Sequence, residues 1–150
     1  MNRTLIISLL LNISLVFSSY AVTDLKLNPN LNYSSDSDDG PLIIGDELAE
    51  GIVHRGRPAY IIFYQRECYN SKHQAKRTVE LYDKYKGKVD FIVIDLDTEI
   101  SNEQTELEDR FYRNYIPHVT IIDGDGQVVY NKSGEIDTHR ISNMLDRALK

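Results

Sequence analysis

Ala59-Tyr60-Ile61-Ile62-Phe63-Tyr64-Gln65-Arg66-Glu67-Cys68-Tyr69-Asn70-Ser71-Lys72 changes character part-way along. Its first six residues are aromatic, β-branched or small, the composition of a strand buried on both faces. From Cys68 onward the apolar residues Ala75, Val79, Leu81, Tyr82 and Tyr85 recur at helical intervals, with Lys72, Lys76, Arg77, Glu80, Asp83 and Lys84 between them. That helix is expected to end at Gly87, a residue suited to a left-handed cap. The single cysteine of the chain therefore sits where a strand hands over to a helix. A thiol there feels unpaired backbone N–H groups and the positive end of the helix dipole, and both favour thiolate over thiol. Three residues further on stands Ser71, so no second sulfur is at hand to close an internal disulfide.

A chain of 150 residues with 41% hydrophobic content can bury one ordinary core. The net charge of −6 arises without any basic cluster to neutralise a row of phosphates, which argues against nucleic acid as a partner. One cysteine rules out an intramolecular disulfide framework and a zinc site built on several thiolates. His54, His73, His118 and His139 lack metal-ligand spacing, and neither a metal nor another cofactor is expected.

Upstream of the strand, Met1-Asn2-Arg3, an apolar stretch over residues 4–17 and the small residues of Ser19-Tyr20-Ala21 predict a secretory signal peptide over residues 1–21. Its apolar run is short for a bilayer about 30 Å thick, so no stable membrane span is expected after cleavage. The protein is expected to be secreted or extracytoplasmic. Residues 22–40, rich in Asn, Ser and Asp, read as a flexible leader with too little apolar surface to offset ordering entropy. Asn32-Tyr33-Ser34 and Asn131-Lys132-Ser133 fit the N-glycosylation acceptor pattern. Residues 41–44 suit a short edge strand, and a short helix is expected near residues 46–52.

Downstream, residues 89–96 form a second apolar strand with Asp95 and Asp97 near its end. Ser101 and Gln104 have the spacing of a capping box and predict a helix to about Tyr112. Strands over 118–122 and 127–131 flank Asp123-Gly124-Asp125-Gly126, a hairpin signal preferred over a calcium loop, which would need further ligands. Asp137 or Thr138 then caps a helix carrying Ile141, Met144, Leu145 and Ala148 on one face. A mixed sheet with helices on both faces accommodates this order.

These features together resemble the thioredoxin-like superfamily across residues 41–150. Phe63 to Cys68 looks like its strand and active-site loop, and Cys68-Tyr69-Asn70-Ser71-Lys72 occupies the place of its Cys-x-x-Cys-Lys. Tyr115-Ile116-Pro117-His118-Val119 resembles the segment that holds its cis-proline. The resemblance implies an α/β thioredoxin-like fold, a cis Pro117 beside Cys68, and an Ile116 backbone able to pair with an extended peptide. Tyr69 and Asn70 would complete a substrate-binding surface with Ile116 and Pro117. The departures matter equally. Ser71 replaces the resolving cysteine; Ile62 stands where thioredoxins bury an acid, and Val93 near that acid's lysine partner. Glu67 opposes thiolate formation, and Lys72 and His73 offset it.

Two functions follow from this pattern. In one, Cys68 is a monothiol that enters thiol–disulfide exchange or forms mixed disulfides with thiol- or disulfide-bearing proteins or small thiols, with the Ser71 hydroxyl able to bond its sulfur. A disulfide-linked dimer through Cys68 is open to such a protein. In the other, the chain is a redox-silent binding or chaperone module that keeps the peptide-facing groove. A thiolate-bound iron–sulfur cluster is disfavoured, because Tyr69-Asn70 differs from the pair that glutaredoxin-like monothiol proteins carry.

Overall fold

The computed structural model describes residues 24–36, 40–46, 48 and 50–150. The expected signal peptide lies outside the described residues, apart from which the chain runs as β1 (Lys26–Leu27), β2 (Ile43–Ile44), β3 (Ala59–Tyr64), α1 (Tyr69–Tyr85), β4 (Asp90–Asp95), α2 (Asn102–Phe111), β5 (His118–Ile122), β6 (Val128–Ser133) and α3 (Thr138–Ala148). Four strands form one sheet in the order β4-β3-β5-β6. β3 pairs in parallel with β4 and antiparallel with β5, which pairs antiparallel with β6.

The alternation of β3 explains why helices lie on both faces. Tyr60, Ile62 and Tyr64 enter a core with Ala75, Leu81 and Tyr85 of α1 and Ile141 and Leu145 of α3. Ala59, Ile61 and Phe63 point the other way, against Leu107 and Phe111 of α2. All six β3 residues are buried, as a central strand covered twice must be. A polar network is sealed in the first core. The Tyr60 hydroxyl bonds Thr78 Oγ1 at 2.9 Å and accepts from Gln74 Nε2 at 3.2 Å, while Gln74 Oε1 accepts from Ile136 N at 2.9 Å. Burial pushes the Tyr60 phenol up to about 12, so it stays a neutral donor.

Local signals place the element ends. Ser101 and Gln104 form the expected capping box at the start of α2, and Asp137 accepts from His139 N and Arg140 N at the start of α3. Gly87 follows α1 with φ 78°, in the left-handed region open to glycine. The hairpin turn holds through Asp123 Oδ1, which accepts from Asp125 N and Gln127 N.

Two expectations need correction. No helix occurs among the described residues of 46–52; Leu48 and Gly51 instead meet α2, where Gln104 Nε2 donates to Leu48 O and a Cβ on Gly51 would lie 2.7 Å from Gln104 N. The described part of the leader, residues 24–36 and 40, is also more than a solvated tail. Leu25 is buried in the first core, and β1 pairs antiparallel with β2. The Tyr33 hydroxyl donates to Leu42 O, and Lys72 Nζ donates to Asn32 O at 3.0 Å. A few well-placed apolar residues suffice because the receiving surface already exists. No helix among the described residues is long and apolar enough to cross a membrane.

Candidate functional site

Gln65 to Cys68 make the turn between β3 and α1, closed by Cys68 N donating to Gln65 O and Lys72 N donating to Cys68 O. Cys68 is the N-cap of α1, with extended backbone and no capping bond from its side chain. A sulfur at this position leaves the first N–H groups of the helix unshared with a capping oxygen, and their dipoles face the thiol. Cys68 is partly exposed and unpaired.

The Ile116–Pro117 peptide is cis, and it leads directly into β5. β5 lies beside β3 in register Phe63↔His118, which brings the proline loop to the end of β3 from which the cysteine turn departs. Ile116 and Cys68 consequently line one groove of about 420 Å³ together with Gln65, Glu67 and Asp97. A second groove of about 330 Å³, on the other side of the thiol, is lined by Asp36, Glu67, Cys68, Tyr69 and Asn70. Of the residues expected at the site, Cys68, Glu67, Tyr69, Asn70 and Ile116 thus converge; Pro117 is buried behind Ile116.

The remaining three take other surroundings. Ser71 is fully buried, and its Oγ has no hydrogen-bond partner among the described residues, so the expected bond to the Cys68 sulfur is not made in this geometry. Lys72 is likewise buried, with its amine on the Asn32 carbonyl. His73 packs against Tyr69 with tilted rings, centroids 4.2 Å apart, and faces Glu135, Nδ1 to Oε1 3.5 Å. Beneath the site, Ile62 and Val93 are register partners on neighbouring strands, and both are buried. The positions expected for an acid and its lysine partner therefore face each other as an apolar pair. Such a pair moves no protons.

Sequence reasoning missed Asp36, because its segment was set aside as leader, and gave Asp97 no role beyond its place at a strand end. Asp97 is held by Arg66 N at 2.7 Å and Gln65 Nε2 at 3.4 Å. The Arg66 side chain turns instead to Asp95, Nε to Oδ2 2.8 Å, where the Tyr64 hydroxyl also donates. Burial, reinforced by the Asp95 charge, pushes the Tyr64 phenol up. Tyr60, Tyr64 and Tyr85 are core residues, whereas Tyr69 is exposed at the thiol.

A cleft of about 310 Å³ at the opposite end of β4 holds His54, Arg57 and Asp90, but the Asp90 carboxylate is engaged by His54 at 3.0 Å and by Arg57 at 3.3 Å. The thiol site is the place in the fold where a nucleophile, an open groove and an extended backbone segment meet.

Residues 46–149 match the family described as a thioredoxin-like domain. The chain belongs to the thioredoxin-like family. Solved structures share its fold. A thioredoxin-like protein from Clostridium perfringens described as uncharacterized superposes with a TM-score of 0.52 at 20% identity, over 63% of this chain and 73% of that one. Thioredoxin from Fasciola hepatica gives a TM-score of 0.50 at 20% identity, over 63% of this thioredoxin-like chain and 83% of its own. A structure described as that of a malarial protein gives 0.51 at 14% identity, over 63% and 99%. No curated protein matches the chain significantly. At these identities the likeness establishes the thioredoxin-like fold and leaves the chemistry to this chain's own residues.

Proposed function

We propose that this thioredoxin-like protein uses Cys68 as a single active-site thiol for exchange with extracytoplasmic partner proteins or small thiols. The observation that carries the reading is the partly exposed sulfur at the N-cap of α1, sharing a groove with Ile116 of the proline loop. The thiolate attacks one sulfur of a partner's disulfide; that S–S bond breaks as the Cys68–S–S–partner bond forms, and the departing thiolate takes a proton from water. Electrons are exchanged without net oxidation. With Ser71 in place of a second cysteine, release requires an external thiol to attack the mixed disulfide. The protein is then a disulfide shuffler or a covalent holder of clients. It is not a dithiol reductase. The extracytoplasmic setting rests on the N-terminal sequence pattern over residues 1–21.

The apolar Ile62–Val93 pair favours a second reading, a redox-silent module that binds extended peptide at the proline loop. One experiment separates the two. Wild-type protein and Cys68→Ser are isolated from the native compartment after acid quenching and compared on non-reducing gels. Adducts that vanish on reduction and are missing from Cys68→Ser support exchange. Identical patterns for both forms sink it in favour of the silent module.

A further inference from the structure

The lining of the two grooves selects the charge of what can approach the thiol. Asp36 and Glu67 line one side and Glu67 and Asp97 the other, and neither groove is lined by a lysine or an arginine. Among the described residues, Asp36 and Glu67 make no hydrogen bond or ion pair, so their charges face solvent uncompensated. Asp97 is held by a backbone N–H and a carboxamide, both neutral donors that fix the carboxylate without cancelling it. The nearest cation in sequence, Arg66, is engaged with Asp95, and the Lys72 amine is buried on the Asn32 carbonyl. A chain of net charge −6 adds a field of the same sign.

Resting on the thiol-exchange reading, we infer that Cys68 prefers disulfides flanked by positive charge, as in an extended segment with Lys or Arg beside its cysteine, and disfavours carboxylate-bearing small thiols. A cationic partner is drawn in and held while its disulfide is attacked; an anionic one is repelled in both stages. Asp36 belongs to the segment ahead of β2, so this selection is partly built by chain outside the main sheet.

The preference is read from second-order rates of mixed-disulfide formation with three probes of equal reactivity class: cystamine (dication), 2-hydroxyethyl disulfide (neutral) and 3,3′-dithiodipropionate (dianion). N-acetylcysteine amide serves as the free reference thiol, and adducts are identified by mass. In low salt the cystamine-to-dithiodipropionate rate ratio should exceed that of the reference thiol by about tenfold, and about 1 M salt should remove most of the excess. The double variant Asp36→Asn, Glu67→Gln, whose side chains hold no bond among the described residues, should lose most of it in low salt. A wild-type ratio equal to that of the reference thiol overturns charge selection and leaves the exchange reading standing. If Cys68 reacts with none of the probes while the urea-unfolded chain reacts with all, the exchange reading falls and this inference with it.

Discussion

A hydroxyl sealed in a protein without a partner lowers stability by about 1–3 kcal/mol relative to a satisfied one, and Ser71, one turn after Cys68, carries a hydroxyl with no partner among the described residues. Packing alone would be served as well by alanine. Ser71→Ala is expected to leave the denaturant midpoint unchanged or raised. A fall in stability of more than about 1 kcal/mol would show that the hydroxyl has a structural partner after all. The same residue-level logic bears on the two glycosylation patterns. Asn131 Oδ1 accepts from His118 Nε2 at 2.7 Å and from Thr120 Oγ1 at 2.7 Å, so its carboxamide serves the sheet. Asn32 is exposed, with Oδ1 accepting from Ser34 N.

At the scale of elements, the N-terminal strand illustrates how little sequence is needed to dock a segment when a surface awaits it. β1 has only two residues, yet it pairs with β2 and is continued inward by Leu25, which is 6% exposed and contacts the core of α1 and α3. Lys72 and Tyr33 add bonds from α1 and from the loop to backbone carbonyls. Leu25→Ala should therefore cost about 2–4 kcal/mol in chemical unfolding, the range of a core truncation, rather than the few tenths of a kcal/mol typical of a solvated tail. A change below about 0.5 kcal/mol would mean that the segment does not dock in solution.

At the scale of the whole molecule, His118 couples the sheet to pH. It is fully buried at the start of β5, with Phe63 and Tyr112 against its ring. Asn131 Oδ1 can only accept, so Nε2 carries the proton and Nδ1 accepts from the Ser133 hydroxyl at 2.8 Å. Burial lowers the affinity of this ring for a second proton below its ordinary value of 6.5, despite the opposing Asn131 bond. Because the unfolded chain then binds the proton more tightly than the folded one, the contribution of His118 is complete above about pH 6.5 and is lost as pH falls through and below that value. Unfolding midpoints measured from about pH 7 to 5 should decline, and the decline should be shallower in His118→Gln. Equal slopes in both proteins would remove His118 as the cause.

The sequence by itself determined what depends on neighbours within a turn or a strand. The β3 run, the cysteine at the start of α1, the Ser101–Gln104 capping box and the Asp137 cap are set by side chains a few residues apart, and each is where its local pattern puts it. The missing second thiol was equally plain, since Ser71 is a matter of covalent identity. Only the tertiary structure decided what depends on distant partners. It set Ile62 against Val93, sealed the Ser71 hydroxyl, brought Leu25 into the core and stood Asp36 beside Cys68. Within the stretch expected as a helix, Leu48 and Gly51 met the surface of α2 instead, where Gly51 lies too close to Gln104 N to admit a side chain. Burial, orphaned hydrogen bonds and uncompensated charge are properties of what packs against a residue, and chain order alone does not specify them.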